Sequence, residues 1–429
     1  MTFIESSART PIFSFSVTIR GGTVLDPTGH EGLSYHCMEL MRRGCKDWSR
    51  DRIDRELDRM GGSLSLACSR DATHLSGLCL SRYIGEIEEL ICSLISSPLF
   101  ESVESKKLVA ETQSEISEMR DDDSDLARRH FRGFLAKGHP YGRTSLGTKA
   151  TLERIETSSE IHTHYQKIMT ADQPIIGIAG DISVTRAEEF ANRITGTIAS
   201  LSIPDQTTLL PSGSPIPTGQ RRLMLIDKPS RTQCQILLGQ PAPRYGTDDF
   251  ARILVAETAF GGMFSSRLMQ EIRVENGWSY GCGSLLGKAR GPLWLQIDLA
   301  PSKEVAVRAL KHTLKMYEDF VEKGVSEDEI QMAKKYLHGS LVFSRETVRQ
   351  RMYSSVQLES YGLSQDYPDR LLEKIESFSL EEINETLRTK LNSRDVAIVL
   401  VATASDIQDE LGAVVANHQV TSWLDPPSW

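Results

Sequence analysis

The sequence predicts an α+β protein made of two similar domains, and three observations lead there. The chain has 429 residues, well beyond the length of one ordinary domain and enough for cores that need no staples. A stretch from Ser202 to Gly219, rich in Pro, Ser and Gly and poor in periodicity, reads as a linker. On either side of it the pattern is the same: strands separated by long amphipathic helices, then a late strand, as in helices packed on a largely antiparallel sheet. The expected division is residues 1–201, a linker at 202–220, and residues 221–429.

In the first half, Phe13 to Ile19 alternates apolar and polar residues as a half-buried strand does, and Gly32 to Arg43 carries a helical pattern. Gly61-Gly62 breaks the next helix ahead of the strand pattern Ser63-Leu64-Ser65-Leu66-Ala67. A long helix is predicted over Val103 to Met119, and Ile175 to Asp181 reads as a buried strand ending in a turn. In the second half, Gln235 to Gly239 is a strand and Asp248 to Phe260 a helix broken by Gly261-Gly262. Ser265 to Val274 is a second, short helix with Asn276-Gly277 as its stop, after which Trp278-Ser279-Tyr280 is expected to enter a strand.

Composition narrows the function. Lys and Arg total 49 against 58 Asp and Glu, a net charge of −9, which argues against a general nucleic-acid binder because phosphate neutralisation needs basic surface. The seven cysteines are odd in number and form no C-x-x-C pair, so neither a disulfide framework nor a zinc knuckle is expected. No apolar run is long enough to span a membrane, and the first residues lack the basic and apolar regions of a signal peptide; a cytoplasmic protein is the expectation.

Three stretches carry a resemblance. They are Gly32-Leu33-Ser34-Tyr35-His36-Cys37-Met38-Glu39-Leu40 with the later Gly61-Gly62; His139-Pro140-Tyr141-Gly142 with Leu146-Gly147-Thr148; and Gly261-Gly262-Met263-Phe264-Ser265-Ser266-Arg267-Leu268 with Glu271-Ile272-Arg273 and Gly277-Trp278-Ser279-Tyr280. In this order they resemble the pitrilysin/insulinase family of zinc peptidases, the inverted-motif group that includes the mitochondrial processing peptidase. The resemblance spans nearly the whole chain and implies the family's fold of two similar domains.

The departure from the family lies in its metal motif. In H-x-x-E-H two imidazoles at i and i+4 share a helix face and bind zinc, with a carboxylate beside them as general base. Here those positions hold Tyr35, Met38 and Glu39; the distant carboxylate that the family uses as third ligand is matched by Glu115, 76 residues beyond Glu39. A phenol with a pKa of about 10 is a poor zinc ligand at neutral pH, and a thioether accepts no proton from a metal-bound water. Loss of a general base alone typically costs about 10²–10⁴ in rate. The chain is expected to hold no metal and to be inactive by itself.

The second half, by contrast, keeps its part of the family's chemistry. The resemblance implies that Arg273 grips a substrate carbonyl and that Tyr280 donates to the developing oxyanion, the two lying seven residues apart around the Asn276-Gly277 stop. Some members of the family split these parts between two subunits. The reading is therefore a non-catalytic subunit of a heterodimeric zinc metallopeptidase, with zinc in an H-x-x-E-H partner and a peptide as substrate. The alternatives are a structural subunit, like the core proteins of the respiratory bc1 complex, and a peptide-binding adaptor. Peptide turnover, leader removal and cofactor-precursor processing all fit.

The remaining candidates have plainer readings. His36 is expected to be a packed histidine, since the family has an apolar residue there. His162 and His164, two apart on a helix, face different ways. Asp121-Asp122-Asp123 reads as a solvated turn, Cys37 and Cys45 as buried thiols. Gly261-Gly262 is no phosphate loop, because no Lys-Ser or Lys-Thr follows.

Overall fold

The structure is a computed structural model, and it describes residues 1–155, 160–201, 219–415 and 418–429. The expected linker falls almost wholly outside these residues. The chain forms two compact units, and each contains a segment from the other half of the sequence: the described parts of Met1–Ile116, Thr144–Pro211 and Val342–Gln365 make the first, and those of Ser117–Arg143, Ser212–Leu341 and Asp366–Trp429 the second. The contiguous halves read from the sequence thus exchange two segments.

In the first unit five strands lie in the spatial order Thr2–Ser6, Ile175–Gly180, Ile12–Arg20, Ala72–Leu80, Ser63–Cys68. The first pair is parallel and the rest antiparallel. The second unit repeats this order with Arg222–Asp227, Ala397–Ala402, Gln235–Ala242, Leu293–Leu299 and Cys282–Leu286, and adds His418–Ser422 beside Arg222–Asp227. The internal repeat is thus topological: Cys282–Leu286 and Ser63–Cys68 are corresponding edge strands.

The alternation that predicts the Phe13 strand has a direct packing cause. Phe13 and Phe15 lie on one face of Ile12–Arg20, and Phe190 packs on both rings with centroids 5.2 and 5.7 Å away. The other face of this sheet receives the exchanged helix Val348–Tyr361, whose Met352 and Val356 cover Ile175 and Ala179. Gly177 is the point of closest approach; a Cβ there would stand 2.3 Å from Met352 Sδ. Arg20 anchors the end of that helix, bonding the carboxylates of Asp172 (3.1 Å) and Glu359 (3.0 Å) and the carbonyl of Ser360 (3.2 Å).

The second unit is arranged alike. The helix Asp123–Leu135 lays Leu126, Ala127, Phe131 and Leu135 on Met224, Ile226, Leu237, Val399 and Val401. Its entrance is the solvated turn expected at Asp121–Asp123, with Asp121 and Asp122 exposed, and the turn also holds the helix. Asp122 caps the helix by accepting from the Asp125 amide at 2.8 Å, and Asp123 accepts from the buried Lys228 ammonium at 2.6 Å. Lys228 also donates to the carbonyls of Arg120 and Asp121, so all three of its protons are used.

No helix among the described residues is long and apolar enough to cross a membrane.

Candidate functional site

The helix bearing the altered motif runs Leu33–Met41. Its N-terminus has no capping side chain of its own. Asp26 substitutes from outside, accepting from the amides of Gly32 (2.9 Å) and Ser34 (2.8 Å) and from the Ser34 hydroxyl (2.5 Å), while His164 lies 2.8 Å from the same hydroxyl. The Leu146-Gly147-Thr148 loop supports this end. Thr151 Oγ1 donates to the Glu31 carbonyl at 2.9 Å, and Gly147, at φ 81°, comes so close to that carbonyl that a Cβ would stand 2.3 Å from it.

Tyr35 and Glu39 sit half-buried one turn apart on one helix face, as expected of i and i+4, whereas Met38 is completely buried. Glu115 is exposed on the helix Ser102–Asp121, close enough that its charge acts on both. Burial, with the carboxylates of Glu39, Glu115 and Glu111 behind it, pushes the Tyr35 phenol well above its ordinary range. Burial likewise raises the Glu39 carboxyl, against the pull of Arg43 and Arg42.

A guanidinium supplies the positive charge here. Arg43, 9% exposed at its side chain, engages Glu111 with both terminal nitrogens and reaches Glu104 at 3.4 Å, and Lys107 joins Glu104 at 2.6 Å. The donor set does not fit zinc: a phenol held protonated, a Glu39 carboxyl already facing arginine and the Glu115 carboxylate are no substitute for two imidazoles and a carboxylate, and the buried Met38 thioether stands where the general base is needed. Among the described residues no cluster of three His, Cys, Asp or Glu side chains is placed to hold a metal ion. His36 is fully buried with Nε2 3.0 Å from the Ser105 hydroxyl, and burial, then the Arg43 charge, lowers its pKa to about 4. It is a neutral, packed histidine. Cys37 and Cys45 are buried free thiols with raised pKa values, burial being the main cause, so neither is poised as a thiolate.

The second candidate cluster lies in the second unit. The helix Asp248–Glu257 widens into a π-turn over Thr258–Gly262, and the helix after it is π-wound over Met269–Glu275. Such turns are rare and concentrate at functional sites. Asn276 closes the second helix, its amide and its side chain both donating to the Glu271 carbonyl. Gly277 takes the left-handed conformation (φ 63°), and the Trp278 amide returns to the Ile272 carbonyl at 2.9 Å. The expected strand starts later than read, at Cys282, because Ser279 turns the chain: its hydroxyl donates to the Gly281 carbonyl and accepts from the Ala300 amide.

This closure brings Arg273 and Tyr280 together. The guanidinium carbon lies 4.6 Å from the Tyr280 ring centroid and 5.0 Å from that of Phe264. Both rings are exposed, Tyr280 at 83% and Phe264 at 72%. Phe264 was inside the quoted motif but carried no separate signal. Neighbouring groups fix the limb: Arg267 forks onto Glu329 at 2.9 and 2.8 Å, Glu271 meets His312 at 2.8 Å, and Trp278 stands edge-on to the same imidazole. The arrangement holds a planar cation and a phenol side by side in solvent, a combination able to grip a carbonyl and to donate to an oxyanion.

The family model of the insulinases, peptidase family M16, matches residues 1–149, and that of the peptidase M16 inactive domain matches residues 156–337. The chain belongs to peptidase family M16. Among curated M16 relatives, the "non-peptidase homolog YmxG" of Helicobacter pylori is 21% identical over 404 residues, covering 93% of this chain and 90% of its own. An "uncharacterized zinc protease" of Mycobacterium tuberculosis is 25% identical over 379 residues, covering 86% and 83%. Among solved structures, a Pseudomonas fluorescens peptidase M16 inactive domain superimposes with a TM-score of 0.84 at 19% identity, covering 93% of this chain and 95% of its own. A chain of complex III2 from Candida albicans reaches 0.75 at 14% identity, covering 95% and 94%. The α+β, two-domain expectation is met, and the chain is an M16 member without the family's zinc motif.

Proposed function

We propose that this protein is the non-catalytic subunit of a heterodimeric zinc metallopeptidase, lending Arg273 and Tyr280 to the zinc site of an H-x-x-E-H partner subunit. The observation that carries the reading is the retained pair: an arginine stacked on an 83% exposed tyrosine, in an M16 chain whose own motif positions hold Tyr35, Met38 and Glu39. A subunit with a purely architectural role has no need of an exposed phenol presented beside a guanidinium. In this reading Arg273 holds a backbone carbonyl of the peptide, and the Tyr280 hydroxyl donates to the oxygen that becomes negative. Zinc and the general base belong to the partner.

The test is made on material purified from the native host through a tag on this chain. An H-x-x-E-H subunit is expected at equal stoichiometry with about one zinc per pair. Tyr280→Phe should leave that assembly intact and cut peptide turnover by about 10²–10³, the usual cost of one oxyanion donor. Unaltered turnover would leave the structural-subunit or adaptor role in its place. A chain that arrives alone, binds zinc and cleaves peptides would overturn the reading altogether.

A further inference from the structure

Beneath the Arg273–Tyr280 limb lies a carboxyl group that this function does not use. Glu257 ends the helix Asp248–Glu257 inside the apolar run from Ile253 to Phe260, and it is 4% exposed. Its Oε1 stands 2.7 Å from the Ser284 hydroxyl, which is also 3.3 Å from the carbonyl oxygen of Glu257 itself. Ser284 belongs to the edge strand Cys282–Leu286, which begins two residues after Tyr280. The Gly261–Gly262 turn closes over the same spot. A Cβ on Gly262 would stand 3.2 Å from Glu257 Oε2, and one on Gly261 would stand 2.4 Å from Ser284 Oγ, so only glycine lets turn, carboxyl and strand meet.

Among the described residues no charge is placed to compensate this carboxyl. Of the charged groups on elements packed around it, Lys374 and Lys390 are taken by Asp248 and Asp249 at the far end of the helix; Arg252 lies over the Phe378 ring and Arg267 on Glu329. Arg273 and Asp298 act on the neighbouring Cys282 thiol. Glu271 is engaged by His312. Burial alone therefore governs Glu257, offset by the one hydroxyl, and moves its pKa from 4.5 to about 7. As a neutral acid it donates its proton to Ser284 Oγ, freeing the serine proton for the carbonyl of residue 257. As a carboxylate it takes the serine proton and is left with a buried charge.

We propose that Glu257 is a positioning residue: bonded to Ser284 and closed over by the Gly261–Gly262 turn, its buried neutral carboxyl lets the edge strand, and with it the Arg273–Tyr280 limb, stay in place, whereas a buried carboxylate draws water in and releases them against the pull of the Ser284 bond. This concerns the limb in the chain itself and stands apart from whether a partner's metal site is served by it.

The sign follows from linkage. The closed limb has the higher pKa, so its advantage is complete below the ordinary value of 4.5, is lost by up to tenfold per pH unit as pH rises toward 7, and is gone above that. Hydrogen–deuterium exchange of the full chain, corrected for intrinsic rates, reads this directly in peptides spanning residues 276–286. Protection in the native chain is expected to fall tenfold or more between pH 5 and pH 7.5, and Glu257→Gln, whose amide cannot ionise, to hold its protection flat. Ser284→Ala, which removes the partner while leaving the carboxyl in place, should lose protection already at pH 5. A flat native profile overturns the proposal, with or without a folded variant. So does a step that survives Glu257→Gln, which would belong to another group.

Discussion

Arg273 lies across the ring of Tyr280, its guanidinium carbon 4.6 Å from the ring centroid, and it shares that cation with Phe264 at 5.0 Å. The stack explains how a solvent-exposed tyrosine is held in one place without a buried anchor. It also makes Arg and Lys unequal at this position, since an ammonium keeps the charge but loses the planar face. In an assembled complex, Arg273→Lys should therefore reduce turnover by about tenfold or more, a loss of at least ~1.4 kcal/mol of transition-state stabilisation. Steady-state peptide hydrolysis at matched subunit stoichiometry checks this; a lysine variant with native turnover would show that charge alone suffices.

Phe264 acts only as the second ring. An exposed cation–aromatic contact contributes about 0.5–1 kcal/mol, so Phe264→Ala should cost roughly two- to fivefold in the same assay. If the alanine variant is as impaired as Tyr280→Phe, Phe264 itself contacts substrate.

The altered motif makes a metal prediction. Positions 35 and 39 share a half-buried face with the charge of Glu115 nearby, while Arg43 is committed to Glu111 and Glu104. The native chain, dialysed at neutral pH, should carry well under one zinc. Tyr35→His with Glu39→His restores two imidazoles at i and i+4 and should raise the content toward about one per chain. Metal analysis by mass spectrometry decides it, and equal zinc in both proteins would mean that the face no longer has the geometry of a ligand set.

Much of this was legible in the sequence where local physics decides. The Phe13 strand, the helix over 33–41 and the Asn276-Gly277 stop follow from alternation, periodicity and the left-handed glycine, and they hold to within a few residues. The exchange of the helices Asp123–Leu135 and Val348–Tyr361 was not legible. An apolar stripe says that a face is buried, never against which sheet. The π-wound segments were hidden for a related reason, because an i to i−5 register leaves the apolar period nearly unchanged over so short a span. Glu257 did leave a signal, a single acid within an apolar run, but its neutrality depends on burial beneath a strand whose Ser284 is 27 residues away in sequence. Arg43 stood only as the end of the predicted helix Gly32 to Arg43; its role on Glu104 and Glu111 needed their helix brought alongside.

Lys228 offers a stability test in the second unit. Its ammonium is 7% exposed and serves two carbonyls and Asp123, so removing it takes a donor from all three and leaves Asp123 with Arg231 at 3.6 Å. Losing its hydrogen bonds costs about 1–3 kcal/mol. Lys228→Ala should lower the unfolding midpoint of this unit in urea accordingly, and the change should be nearly independent of salt because the pair is shielded from it. A loss under about 1 kcal/mol, or one that vanishes in high salt, would class the contact with ordinary surface pairs.

Acid acts on the two units through His36 and His130. Each is almost fully buried, and burial first, then a neighbouring arginine charge, lowers each pKa to about 4. Unfolded histidine titrates near 6.5, so the unfolded chain binds the proton first as pH falls. The stability contributed by each neutral imidazole is complete above 6.5 and is lost between 6.5 and 4, at a rate on the order of 1 kcal/mol per pH unit. This runs opposite to Glu257, whose contribution is lost as pH rises from 4.5 toward 7. The two effects overlap only between pH 4.5 and 6.5: in the first unit the raised Glu39 carboxyl opposes His36 while His74, its pKa also lowered by burial, reinforces it, and the second unit sets Glu257 against His130. Urea titrations at pH 5 and pH 7 should therefore show the first unit weakening on acidification more than the second. His36→Gln should flatten that slope in the first unit alone, and a slope unchanged by it would assign the acid sensitivity to the carboxylates instead.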